Sequence, residues 1–218
     1  MRSKGFSGAD LENYYEGRLL DIVGGPSVNK SYMVWQEIFN NGVKAKMDTV
    51  IDVWKGFDRQ TMAEATKAGY KVCLSGGWYL DSLKTTPGHF DGWDFYLQEP
   101  TDFEGSDEQK KLVMGGKAAM WGEHVDATNL LSRVWPRASC VAERLWSPAS
   151  VKDEEAAKPR LHKFRCDLLA RGIPAEPISP GGSIPGVPVQ AQNAPGYCPH
   201  EYVFNYAPPG SGLDTKEL

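Results

Sequence analysis

The chain has 218 residues, with 24 Lys+Arg against 28 Asp+Glu, a formal net charge of −4 and 41% hydrophobic residues. That balance excludes a nucleic-acid binder working through a basic face, and the composition is that of a globular domain with enough chain for a sizeable core. No apolar run reaches the roughly 18 residues that a membrane helix needs, and Met1-Arg-Ser-Lys-Gly-Phe-Ser-Gly-Ala-Asp10 has no apolar stretch of a signal peptide. The 7 Trp and 9 Tyr predict stacking surfaces as well as core.

Residues 10–23 carry apolar side chains at helical spacing behind Asp10 and stop at Gly24-Gly25-Pro26, which predicts a helix. Tyr32 to Phe39, bounded by Asn40-Asn41-Gly42, reads as a strand. Val50 to Trp54 is a second strand, followed by a helix over about 59–68 and a Gly69 stop. Lys71 to Ser75 is a third strand, leading into Gly76-Gly77-Trp78-Tyr79-Leu80. After an irregular stretch and a short helix near 107–112, Gly116 to Met120 reads as a fourth strand that runs into Trp121-Gly122-Glu123. Two longer helical patterns occupy 127–146 and 152–171, the second with Leu161, Phe164, Leu168 and Leu169 on one stripe and a stop at Gly172. Nine of the fifteen prolines lie between 174 and 209. The chain therefore divides into residues 1–172 and a Pro/Gly-rich segment, 173–218, expected to be extended or partly disordered.

Alternating β and α elements predict an α/β fold: four parallel strands with flanking helices and right-handed crossovers. In such folds ligands bind at the carboxyl ends of the strands. Each predicted strand ends in a polar and aromatic cluster: Trp35-Gln36-Glu37, Trp54-Lys55, Trp78-Tyr79 with Asp81, and Trp121-Gly122-Glu123. Any one of these tryptophans alone would read as a core aromatic. Four strands each delivering a Trp to one edge predict instead an aromatic-walled pocket with carboxylates, and sugar is its natural ligand. Glu123 reads as a buried carboxylate, hence a ligand contact or an ion-pair member, and Asp81 has the same two readings. The adjacent pairs Asp107-Glu108 and Asp153-Glu154 read as solvated helix starts rather than catalytic dyads.

The four histidines, at 89, 124, 162 and 200, show no ligand spacing, so neither a metal nor a cofactor is expected. The four cysteines form no C-x-x-C pair. Cys73 and Cys140 lie in apolar surroundings and read as buried free thiols. Cys166 and Cys198 bracket the proline-rich end, where a disulfide requires an oxidising compartment. Asn29-Lys30-Ser31 is an N-glycosylation sequon in a Gly/Pro turn.

Val34-Trp-Gln-Glu-Ile-Phe39, Val53-Trp54, Ser75 to Leu80, Phe103-Glu-Gly105, Gly115 to Glu123, Val134-Trp-Pro-Arg-Ala138 and Ala142-Glu-Arg-Leu-Trp-Ser147 together resemble glycoside hydrolase family 20. The likeness is to the lysosomal-type β-N-acetylhexosaminidases of animals and covers roughly residues 1–200. It implies strands 5–8, the C-terminal half, of a (β/α)8 TIM barrel. It also implies hydrolysis of terminal N-acetyl-β-hexosamine residues by substrate-assisted retaining catalysis. By resemblance, Trp35, Trp54 and Trp121 wall the sugar ring and its N-acetyl methyl group. Tyr79 donates to the acetamido carbonyl oxygen, while Asp81 and Glu123 accept from sugar hydroxyls. Asp81-Ser82, where α-type relatives carry Asn-Arg, points to neutral substrates.

The resemblance further implies a Cys166–Cys198 disulfide, dimerisation, glycan partners, no cofactor, and a lysosomal or secreted location. The family's catalytic Asp-Glu pair stands in a His-x-Gly-Gly-Asp-Glu motif, which this sequence lacks. The expectation is a truncated or partial hexosaminidase without activity of its own. The rival is a non-catalytic sugar-binding or subunit-binding protein on the same fold.

Overall fold

A computed structural model describes residues 5, 7–82, 89–178 and 198. The elements run α1 (Gly8–Gly24), β1 (Met33–Trp35), α2 (Gln36–Asn40), β2 (Val50–Val53), α3 (Arg59–Lys67), β3 (Lys71–Leu74), α4 (Gly92–Tyr96), α5 (Asp107–Lys110), β4 (Val113–Gly116), α6 (Leu130–Val134), α7 (Arg137–Trp146) and α8 (Glu154–Ala170). The strands form one parallel sheet in the order β1-β2-β3-β4, as the alternation predicts. Registers include Met33↔Val50, Ile51↔Val72 and Val72↔Val113.

Helix ends follow their capping chemistry. Ser7 and Asp10 form a reciprocal capping box at the start of α1. Asp58 accepts the Thr61 N–H at 2.9 Å to open α3, and Gly69, at φ 90°, lets the chain leave it. The two acid pairs behave as helix starts: Asp107 and Glu108 are exposed in the first turn of α5, and Asp153 caps α8 through the Ala156 N–H at 3.2 Å.

The described residues up to Gly77, with 99–117, form one compact unit, and the described residues of 78–98 and from 118 onward form a second. The first unit holds the sheet. Ile51, Asp52 and Val53 of β2 and Val72, Cys73 and Leu74 of β3 are buried without alternation, the pattern of parallel strands covered on both faces, and Met62 and Ala65 of α3 are buried in the same unit. In the second unit α4 packs on α7, and Trp78, Trp93, Phe95, Tyr96, Cys140 and Val141 are buried. Trp93 meets Tyr96 edge-on at 6.2 Å.

Four expectations need correction. The strand foreseen over Tyr32–Phe39 ends at Trp35 and becomes α2, because the buried Gln36 side chain turns in to serve another strand's end, as described below. The strand foreseen at Gly116–Met120 lies three residues earlier, at Val113–Gly116. Gly115, at φ 112°, stands within a register shift there, and of the foreseen strand Ala119 makes an isolated bridge with Tyr79. The single helix over 127–146 is two, α6 and α7, broken at Trp135-Pro136, since proline has no N–H to continue the ladder and its ring crowds the preceding turn. The stretch left irregular before 107 contains α4, whose five residues are too few for periodicity to register. Residues 179–197 and 199–218, most of the Pro/Gly-rich segment, lie outside the described residues. Of the earlier part, Ala175 and Ile178 are buried.

Candidate functional site

In the first unit the carboxyl ends of β1 and β2 carry two indoles. Trp35 is 41% exposed, and its ring meets that of Trp54 edge-on, with centroids 6.0 Å apart and planes at 72°. Trp54 is held by its polar edge: Nε1–H donates to both carboxylate oxygens of Glu37, at 3.1 and 2.9 Å. Lys55 Nζ lies 2.9 Å from the same carboxylate. Burial pushes the Glu37 carboxyl up, but the indole N–H and the Lys55 ammonium outweigh it and hold the group below the ordinary carboxylate range.

Gln36 anchors this corner. Its Oε1 accepts the backbone N–H groups of Trp54 and Lys55, both at 2.9 Å, and its Nε2 donates to Asp58 at 3.0 Å. The chain must therefore turn into α2 directly after Trp35 to bring that amide under the end of β2. Sequence reasoning missed Gln36 and Glu37 as supports, although both stand in the Trp35-Gln36-Glu37 cluster it singled out.

In the second unit the half-buried Tyr79 forms an isolated parallel bridge with Ala119: Ala119 N–H donates to Trp78 O at 3.0 Å, and Leu80 N–H to Ala119 O at 2.8 Å. Asp81 Oδ1 accepts the backbone N–H of Trp121 at 3.2 Å, which brings Asp81 and Trp121 together. Trp121 is 45% exposed. Glu123 lies in an exposed bend. The expectation of a buried Glu123 is thus corrected: β4 ends at Gly116, well before it, and its side chain is exposed among the described residues. Trp78, counted among the strand-end tryptophans, is 0% exposed and donates its Nε1–H to Phe95 O at 2.9 Å, so it belongs to the core.

The two remaining thiols, Cys73 and Cys140, are buried and unbonded, and Cys166 is disulfide-bonded to Cys198, as expected. Asn29 is exposed at φ 47°, and the Ser31 hydroxyl of its sequon donates to Asp48 at 2.6 Å. Among the described residues no group of three His, Cys, Asp or Glu side chains is placed to hold a metal ion, and no helix is long and apolar enough to cross a membrane.

Successive parallel βα units with aromatic and polar groups after the strands are the arrangement of an α/β protein, a class in which ligands bind at the strands' carboxyl ends. Residues 1–149 match glycosyl hydrolase family 20, catalytic domain. The chain is 49% identical over 188 residues to β-hexosaminidase subunit alpha of Bos taurus, covering 83% of this chain and 34% of that protein. It is 44% identical over 186 residues to β-hexosaminidase subunit beta of Homo sapiens, covering 83% and 33%. Among solved structures, the GH20 β-N-acetylhexosaminidase of Streptomyces coelicolor A3(2) superposes with a TM-score of 0.65 at 26% identity, covering 84% of this chain and 38% of that one. The chain belongs to glycosyl hydrolase family 20. Its fold is that of half a (β/α)8 barrel, and it spans about a third of the length of the curated relatives it matches.

Proposed function

We propose that this chain supplies the sugar-contacting wall of a β-N-acetylhexosaminidase, acting on terminal N-acetyl-β-hexosamine residues of glycans. The observation that carries the reading is the Trp35–Trp54 indole pair at the ends of β1 and β2, with Trp54 held through its N–H by Glu37. Indole faces stack on the apolar face of a pyranose, while flanking carboxylates take its hydroxyls. Trp121 adds a further stacking surface; Asp81, which already accepts the Trp121 N–H, and the exposed Glu123 accept from sugar hydroxyls.

In the substrate-assisted scheme the 2-acetamido carbonyl oxygen attacks the anomeric carbon. The bond to the aglycone oxygen breaks, a general acid protonates that oxygen, and an oxazolinium ion remains for water to open. Tyr79 O–H donates to the attacking carbonyl oxygen and aligns it. The general acid and the Asp that orients the acetamido group stand in the family's His-x-Gly-Gly-Asp-Glu motif, which these 218 residues do not contain. The disulfide fits a lysosomal or secreted setting, and assembly into a dimer is part of the same reading.

The test is steady-state hydrolysis of an aryl β-N-acetylglucosaminide, with the chain alone and with the chain joined to a segment carrying that motif. The chain alone is expected to be inactive and the joined form active. In the joined form Tyr79→Phe should lower kcat more than it raises KM, because the hydroxyl acts most on the transition state. Glu123→Gln should raise KM about tenfold or more, since a charge-assisted acceptor is lost. Unchanged kinetics in both variants, or activity from the 218 residues alone, overturns the reading.

A further inference from the structure

Paired with Trp35 across the sheet is a buried charge that the proposed chemistry does not use. Asp52, on β2, is 1% exposed, and a carboxylate removed from water demands compensation on both oxygens. It receives that compensation. Its Oδ1 accepts the Ser75 hydroxyl at 2.7 Å, and its Oδ2 pairs with Lys117 Nζ. Lys117 directly follows β4, and its backbone N–H donates to Leu74 O at 2.9 Å, so the sheet fixes the root of its side chain. The ammonium end reaches back across the sheet to β1, lying 4.7 Å from the centroid of the Trp35 ring and 3.9 Å from Met33 Sδ. Groups from all four strands or their carboxyl ends thus join one chain of contacts that ends, through Lys117, on the Trp35 indole.

We propose that Asp52 and Lys117 form a charge clamp that sets the orientation of the Trp35 indole. A lysine ammonium is drawn to the face of an indole by the ring quadrupole. On its flexible stem, however, a lysine beside an exposed ring spends its time among many rotamers in water. Here the buried carboxylate tethers the ammonium, so the attraction acts from a fixed point. Trp54 meets the ring edge-on, and these two contacts both restrict the indole. A half-exposed tryptophan without them would sample several staggered rotamers and would have to be ordered by whatever stacks on it, weakening binding. Because Asp52 neutralises the ammonium, Lys117 orients the ring without making its surroundings cationic. Lys117 and Asp52 are positioning residues, and their effect on sugar binding rests on the pocket reading above.

The test uses the full chain labelled with 5-fluorotryptophan and followed by fluorine NMR, the resonance of Trp35 being the one lost in Trp35→Phe. Lys117→Met keeps the stem and removes the charge; it is expected to shift and broaden that resonance while the other six tryptophan signals stay in place. Lys117→Arg should restore a narrow signal. Asp52→Asn should act like Lys117→Met, and if it fails to fold, the Lys117 pair still decides. Titration with N-acetylglucosamine should give affinity about two- to fivefold weaker in Lys117→Met, the size of an exposed cation–π contact. A Trp35 signal identical in wild type and Lys117→Met overturns the proposal. A wild-type signal that ignores the sugar yet follows Lys117 supports the clamp and sinks only the pocket reading.

Discussion

Arg137, inside the Val134-Trp-Pro-Arg-Ala138 block that carries much of the family likeness, is a structural staple of the second unit. Its side chain is 0% exposed. It pairs with Asp91 at 2.8 Å and Glu176 at 3.1 Å, and donates to the carbonyl oxygens of Arg133, at 3.0 Å from Nε, and of Leu80. Burial pushes the Glu176 carboxyl up, Arg137 pulls it back, and Asp91 pushes it up again. Arg137→Met would strand two carboxylates around an apolar side chain, and we expect a loss of about 3–5 kcal/mol in urea unfolding. Arg137→Lys should recover little of it, because a point charge cannot replace a planar fork of donors. Arg144 of the neighbouring block is buried in the same way, with Gln98 O at 2.7 Å and Val151 O at 3.0 Å. In the first unit, a Cβ on Gly76 would stand 1.6 Å from the carbonyl oxygen of Gly56. Backbone cannot step aside as a side-chain end can, so Gly76→Ala should cost about 2 kcal/mol or more, read as a lowered melting temperature.

At the scale of elements, acid should loosen two places with one sign. Glu37, on the turn from β1 into α2, is held below its ordinary pKa. A depressed carboxyl lends stability that is complete above its unfolded value, about 4.3, and is lost as pH falls through the lower folded value. His162 on α8 is buried, and burial first, then the charge of Arg165, pushes its pKa down; its Nε2 has no hydrogen-bond partner among the described residues. The folded state therefore keeps the imidazole neutral, whereas the unfolded chain takes up a proton near pH 6.5. Stability is full above about pH 6.5 and falls as pH drops below it. Melting temperatures between pH 7.5 and 5 should fall in wild type and fall less in His162→Phe; parallel curves would show that His162 does not carry the acid sensitivity.

At the scale of the whole molecule the chain carries a covalent link. Cys166 and Cys198 are 32 residues apart, and a bridge closing a loop of that length is worth about 3–4 kcal/mol. Arg165 supports the same corner, donating to Glu176 O at 2.8 Å and reaching Cys198 Sγ at 3.3 Å. The Cys166→Ser/Cys198→Ser variant should lose that stability in denaturant. In the same chain Cys73 and Cys140 should resist alkylation until it unfolds. Both are buried; burial, reinforced by the Asp52 charge against a weaker pull from Lys117, raises the Cys73 thiol to about 11, and burial raises Cys140 as well. Modification of either thiol in the native protein, faster than unfolding, would contradict this.

Local chemistry made much of this chain legible before any coordinates. The runs 50–54 and 71–75 became β2 and β3 within a residue, because strands buried on both faces are written in mostly apolar segments, here interrupted within β2 by the ion-paired Asp52. Asp153, Gly69 and Gly172 marked helix ends because capping and positive φ are properties of single residues. The βα alternation sufficed for the parallel order of the sheet. Tertiary structure alone decided the rest. That Trp78 is core while Trp35 and Trp121 are half-exposed depends on what packs over each ring, here the α4 backbone at Phe95. That β1 ends at Trp35 depends on Gln36 reaching Trp54, 18 residues away. That Lys117 serves Asp52 and Trp35, 65 and 82 positions earlier, depends on four strands lying side by side. Pairings over such separations leave no periodic trace in a single sequence, since nothing in the local pattern of either partner records the other.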